Sequence, residues 1–233
     1  MKLPPFFLIV AFLIAACSED PEPNTVCNVT IEDDYIAIEA EATDSELGDW
    51  EIVRSGDERY RDEDAVLPIN GTHLEYAGNN SYNEPVSPLR YMFVAPKTAT
   101  YQLAMRLYQR LDGEAEDKCN DVFVRMEGDF TAGSNAYTTE DLKSDYKFLG
   151  RGVDEWGCAY TAEIGDHTFA TLQYNFTEGE EYTLVMSGRS ERTNIDYILL
   201  FNTELDITTK AHNDLAEVND EKYRPDWVCA DAE

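Results

Sequence analysis

Residues 193–201 read TNIDYILLF. Ile195, Tyr197, Leu199 and Phe201 alternate with Asp196, Ile198 and Leu200. The segment is therefore a strand with apolar side chains on both faces. Asp196 is the exception, because an acid inside such a strand is costly unless something pairs with it.

The same period of two recurs along the chain. In DYIAIEAEA (34–42), Ile36, Ile38 and Ala40 share a face; in ATYQLAMRLYQR (99–110), Tyr101, Leu103, Met105 and Leu107 do; in DVFVRMEG (121–128), Val122, Val124 and Met126 do. LRYMFVAP (89–96) is a strand stopped by Pro96, and FATLQYNF (169–176) and EYTLVMSGRS (181–190) are joined by the tight connection TEGEE. Period-two runs broken by Gly, Asn, Asp and Pro clusters predict one all-β domain, a β-sandwich, over residues 31–203. Residues 43–90, 110–119 and 128–166 read as long irregular stretches rich in Asp, Asn, Gly and Tyr. Such loops gather at the ends of a sandwich and carry function. A short helix is expected around TTEDLKSDY (138–146). Residues 204–233 read as a polar C-terminal tail with helix potential in 209–223, its end pinned to the domain through Trp227 and Cys229.

Before the domain, Lys2 leads into LPPFFLIVAFLIAA, an apolar run that ends in small residues just before Cys17. This predicts a secretory signal over residues 1–16, too short to span a membrane comfortably. Cysteine directly after LIAA resembles the bacterial lipobox, which implies a lipidated Cys17. SEDPEPNT then reads as an extended tether within residues 17–30. Its acids resemble the surface-export signal of Bacteroidetes lipoproteins, implying an outer-membrane lipoprotein exposed at the cell surface, with a periplasm-facing protein as the alternative.

Four cysteines remain, Cys27, Cys119, Cys158 and Cys229, and an even number in an exported chain suggests two disulfides. Three pairings are possible. Cys119–Cys158 with Cys27–Cys229 is favoured, because Cys27 and Cys229 stand near the two ends of the folded region and domain termini are often close. The formal charge is −29, from 47 Asp and Glu against 18 Lys and Arg. That excess argues against nucleic acid, which needs a basic footprint. GxSxG, HExxH, phosphate-loop and dinucleotide signatures are all missing, so no enzyme class declares itself.

Glu39 and Glu41 lie two apart, so both leave the same strand face, together with Tyr35 and Ala37. Two like charges repel unless a cation sits between them, and hard oxygen ligands suit Ca²⁺. The other reading points both glutamates to solvent. YIAIEAEA, NDVFVRMEG and GRSERTNIDYILLF, with HLEYAGNNSYNEP and TYQLAMRLYQR between, resemble in order the family 6 and 35 carbohydrate-binding modules. These are galactose-binding-like β-sandwiches of jelly-roll type. The resemblance spans roughly residues 33–202 and implies a structural calcium at Glu39, Glu41 and Asp196. It also implies a glycan site in the loops at one end, with Asn194 as the sugar-binding asparagine and Trp156 as the stacking aromatic. Tyr76 would be a second aromatic, and Asn120, Asp121 and Arg192 neighbouring contacts. Each of these has a structural alternative: Trp156 and Tyr76 in the core, Asn194 ending a turn, Asp121 capping a loop, Arg192 in a salt bridge.

The expectation is thus a non-catalytic, calcium-stabilised surface lipoprotein that captures polysaccharide for degrading enzymes. A protein-binding or adhesion component, and a small polysaccharide lyase or hydrolase on the same scaffold, are the alternatives.

Overall fold

The computed structural model describes residues 29–30, 34–62, 67–165 and 167–204. The signal segment, Cys17, most of the tether, the Cys27–Cys229 pairing and nearly all of the C-terminal tail lie outside the described residues. Among the described residues no helix is long and apolar enough to cross a membrane.

Among the described residues fourteen strands form, in chain order: β1 (Val29–Thr30), β2 (Tyr35–Glu39), β3 (Trp50–Arg54), β4 (Thr72–Tyr76), β5 (Val86–Val94), β6 (Ala99–Gln109), β7 (Asp121–Glu127), β8 (Thr131–Ala132), β9 (Tyr146–Arg151), β10 (Trp156–Gly165), β11 (Thr168–Ala170), β12 (Gln173–Phe176), β13 (Glu181–Gly188) and β14 (Thr193–Asn202). They follow the order β1-β2-β14-β6-β10-β9-β7-β13-β5, with β4 also pairing β14 and β3 pairing β4. The helix expected near residue 140 forms as α1 (Thr139–Leu142), capped by a reciprocal box between Thr138 and Asp141; the two side chains satisfy backbone N–H groups that the first turn leaves open.

The sheet curls on itself around one core. Ile36 and Ile38 of β2, Leu103 and Met105 of β6 and Leu200 of β14 share a buried cluster with Tyr91 and Phe93 of β5, Val124 and Met126 of β7 and Leu184 of β13. The two halves therefore face each other as an all-β sandwich. Tyr91 of β5 reaches across to donate to the Ala40 carbonyl at 2.7 Å. Phe93, Phe176 and Tyr182 pack ring to ring at centroid separations of 4.2–5.9 Å. Burying each such side chain contributes about 1.5–3 kcal/mol, and the period-two faces read from the sequence are the ones that supply them.

Five strands depart from the sequence reading. β3, β4, β8, β9 and β10 form inside stretches expected to be irregular. β10 is central, between β6 and β9, yet its residues include Gly157, Ala159 and Ala162, which carry little hydrophobic signal. Small residues are needed there: a Cβ on Gly150 of β9 would come within 2.2 Å of the Ala159 backbone.

The strand order also corrects the Cys119–Cys158 pairing, since both residues are free buried thiols. Asp121 of β7 pairs with Leu149 of β9, and Cys158 of β10 pairs with Arg151 of β9. Strand β9 thus stands between the two cysteines. Two strand spacings are about 10 Å, beyond the roughly 7 Å Cα separation that a disulfide can bridge. Cys158 donates weakly to the Ala159 carbonyl, and burial pushes its thiol up to about 12.

Candidate functional site

The outward faces of β2, β14, β6 and β10 carry a second buried layer. Arg106 alternates with core residues Met105 and Leu107, and so projects away from the main core. Its guanidinium lies 4.8 Å from the Trp156 ring centroid and 2.5 Å from an Asp196 carboxylate oxygen. The other Asp196 oxygen accepts from the Ile69 backbone N–H at 2.9 Å. Arg106 and Asp196 are both fully buried. The acid that stood out in the sequence therefore holds a guanidinium. The bulge in β14 between Ile195 and Ile198 turns both Asp196 and Tyr197 off the inward register; an extra residue in one strand does this by breaking the alternation.

Around this pair the layer continues. Trp156 meets Tyr108 and His73 edge-on and donates its indole N–H to the Arg61 carbonyl at 3.2 Å. His73 stacks on Tyr60 and accepts from the Arg61 N–H. Burial lowers His73 from its ordinary 6.5 to about 4, and the nearby arginines push the same way. Glu75, fully buried, is gripped by Arg110 through both oxygens at 2.8 and 2.9 Å and by Arg59 at 2.6 Å. Such buried pairs need every charge matched, because desolvation is offset only by good geometry.

A pH dependence follows from His73. The unfolded chain takes up this proton near pH 6.5 and the folded chain only near 4, so stability from this group is present above pH 6.5 and lost as pH falls through that window. The loss amounts to about 3 kcal/mol. Urea denaturation at pH 7 and pH 4.5 reads it, and His73→Phe is expected to flatten that part of the profile.

The predicted glycan residues do come together at one end. Asn194 pairs in register with Glu75 and Tyr108, and Trp156 with Tyr108, so the ends of β4 and β6 meet the starts of β10 and β14. Asp112, Cys119, Asp154 and Arg192, in the loops there, all have φ between 50° and 62°. Left-handed non-glycine backbone clusters at sites where geometry is imposed by function. The side chains, however, are turned inward. Trp156 is 3% exposed and offers no ring face to a sugar; it is a core residue of the second layer. Tyr76 packs on Trp50 and lies so tightly over Gly188 that a Cβ there would approach its ring to 2.1 Å.

Asp121 is enclosed by Arg189 and the Ser190 hydroxyl and organises the turn before β14. Asn120 donates to the Gly150 carbonyl at 3.4 Å. Arg192 donates to the Leu111 carbonyl and to Glu191. Asn194 is fully buried; its amide donates to the carbonyls of Arg192 at 2.9 Å and Tyr108 at 3.4 Å, while its Oδ1 and the Arg192 Nε are buried without hydrogen bonds.

An aromatic side chain that does face outward at this end is one the sequence reading missed. Tyr82 is half exposed. The Arg189 guanidinium sits 5.1 Å from its ring centroid and 5.5 Å from that of the nearly buried Phe123. Arg189 is held in turn by Asp121. The Tyr82 loop is stitched to the next one: Ser81 donates its N–H to the Arg189 carbonyl at 2.8 Å, and Asn80 both accepts from the Glu191 N–H and donates to its carboxylate. An aromatic ring backed by a fixed cation, on a braced loop, is a preorganised stacking platform. The signal in the sequence was a lone aromatic among asparagines, NNSYNEP.

The expected calcium ligands divide. Both oxygens of Glu41 are buried without hydrogen bonds. Burial, and then the neighbouring Glu39 carboxylate, push Glu41 well above the ordinary carboxylate range; its own backbone and Thr72 pull back, and Asp196 adds to the rise. An orphaned buried carboxylate beside a second acid fits a cation. Asp196 does not fit as a ligand, because Arg106 and the Ile69 N–H already occupy its oxygens. Among the described residues no three His, Cys, Asp or Glu side chains are grouped to hold a metal ion.

No family model and no curated protein matches the chain. Among solved structures, it is similar to a GH26-CBM35 β-(1,4)-mannanase from Podospora anserina, at 12% identity and a TM-score of 0.43 over 74% of this chain and 28% of that one. It is similar to the C-terminal CBM6 of a marine laminarinase from Zobellia galactanivorans, at 15% identity and a TM-score of 0.39 over 72% and 99% of the two chains. A CBM6 from Clostridium stercorarium in complex with cellobiose matches at 14% identity and a TM-score of 0.38, over 72% and 93%. These neighbours are carbohydrate-binding modules or contain one, at identities and TM-scores too low to say what this chain binds.

Proposed function

We propose that this chain binds polysaccharide, without cleaving it, at the loop end of the sandwich. Tyr82 stacks on a sugar ring, and Asn80 and Glu191 contact its hydroxyls. The observation that carries this reading is the half-exposed Tyr82 ring resting on Arg189 in an asparagine-rich, hydrogen-bonded loop. Sugar C–H faces are apolar enough to stack on such a ring while polar neighbours fix orientation. The ordered sequence resemblance to family 6 and 35 modules supports the same class of ligand. With the signal segment and Cys17, the reading extends to a lipid-anchored outer-membrane protein that holds glycan for degrading enzymes. Screening the chain against a glycan panel, with parallel assays for new reducing ends and unsaturated products, tests it. Binding without product is expected; product release would replace it with the enzyme reading.

Calcium belongs to the same proposal, held through Glu39 and Glu41, where it would neutralise the two acids and brace the end of β2. Without calcium, a buried unpaired carboxylate costs roughly 1–3 kcal/mol or more, so Glu41→Gln is expected to raise the melting midpoint in EDTA. With millimolar calcium the same substitution is expected to lower it relative to wild type. Equal shifts in both buffers would remove calcium from the account.

A further inference from the structure

We propose that Glu191 makes the Tyr82 site selective for uncharged glycan, by repelling chains that carry carboxylate or sulfate groups beside the stacked sugar. This filter presupposes that glycan binds at Tyr82, the reading proposed above, and fixes the class of glycan that does so.

Glu191 belongs to the site by its bonds. Its backbone N–H donates to Asn80 Oδ1 at 3.1 Å, and its carboxylate accepts from Asn80 Nδ2 at 3.2 Å. Asn80 stands two residues before Tyr82, a chain distance of at most about 7 Å. Two residues before Glu191, Arg189 packs against the Tyr82 ring. The carboxylate therefore lies roughly one Debye length, about 10 Å, or less from a sugar on that ring, where its charge is still felt.

Bracing the loop needs an acceptor and not a charge. Arg192 donates to Glu191 Oε1 at 3.1 Å, and is held independently by the Leu111 carbonyl at 3.0 Å and by Glu114 at 3.6 Å. Both side-chain bonds to Glu191 end on Oε1, and the side chain is 37% exposed. A glutamine would keep that geometry. What glutamate adds is a negative charge at the rim, and the neighbouring cations do not cancel it. Arg189 is committed to Asp121, and Arg110 to Glu75 and Asp112. Arg192 is shared among Glu191, Glu114 and Asp112, so one guanidinium serves three carboxylates. Glu84, two residues after Tyr82, is a further exposed acid on the same loop. A site discriminates by repulsion as well as by contact, and like charges brought together at an interface cost affinity.

Calorimetric titration of the intact chain with matched polymers tests this: hydroxyethyl cellulose against carboxymethyl cellulose, laminarin against laminarin sulfate, and galactomannan against its carboxymethyl derivative. For the backbone that binds, the charged member is expected to bind on the order of tenfold more weakly. Glu191→Gln is expected to narrow that ratio to about twofold, and raising salt to about 0.5 M to narrow it in the wild type. Equal or tighter binding of the charged member overturns the proposal. So does a ratio that Glu191→Gln leaves unchanged, because the repulsion then belongs to the whole surface, with its formal charge of −29. A ratio insensitive to salt overturns it in favour of discrimination by shape. Failure of the site reading looks different: Tyr82→Ala would then bind the uncharged member as wild type does.

Discussion

Arg106→Ala is expected to destabilise the protein by about 3–5 kcal/mol. Arg106 and Asp196 are fully buried and meet at 2.5 Å. Removing the guanidinium leaves a carboxylate in the interior that still accepts from the Ile69 N–H but has lost its matching cation, and breaking a buried pair from one side carries the cost of an unmatched charge. The arginine also packs on Trp156, so its stem and cation–π contact go with it. Replacing both partners, Arg106→Met with Asp196→Leu, is expected to recover most of the loss, because no charge is then stranded. Urea denaturation of the two single variants and the double variant gives the coupling energy directly. Calcium should not rescue Arg106→Ala; rescue would return Asp196 to the metal.

Trp156→Ala is the second large effect, again about 3–5 kcal/mol, the usual range for truncating a buried tryptophan. Its ring is enclosed by Arg106, His73 and Tyr108, and its N–H donates to the Arg61 carbonyl. The substitution opens a cavity and leaves a part-buried carbonyl without that donor. Trp156→Phe should cost less than half as much, since it keeps most of the volume. For a core residue, the folded fraction of either variant should bind glycan as wild type does. Denaturation curves with affinity measured at low temperature separate the two properties. Weakened affinity of folded Trp156→Phe would restore the ring to the binding site.

Sequence pattern reveals strands where one side is inward and apolar, as in β2, β6, β7 and β14. It does not show that the opposite face is buried as well, where the covering layer is built from polar side chains. Glu75, His73, Arg106 and Asp196 are polar types at fully buried positions, and polar types read as solvent-facing until their partners are known. The same limit hid β10, whose small residues serve close strand approach. The family-like positions were legible as a group, because strand register does bring Tyr76, Asn120, Asp121, Trp156, Arg192 and Asn194 to one end. Which of them face outward was not, because it depends on packing partners distant in sequence: Gly188 under Tyr76, Arg106 against Trp156, Tyr108 across from Asn194. Tyr82 depends on Arg189, more than a hundred residues away.

The central claim is that glycan binds at Tyr82, and the direct test is calorimetric titration of wild type and Tyr82→Ala with an oligosaccharide that the panel identifies. Because Tyr82 is half exposed, its removal should leave the melting midpoint nearly unchanged while weakening affinity by about five- to tenfold, as loss of a stacking contact worth about 1–1.4 kcal/mol requires. Unchanged affinity in a folded Tyr82→Ala protein would contradict the account.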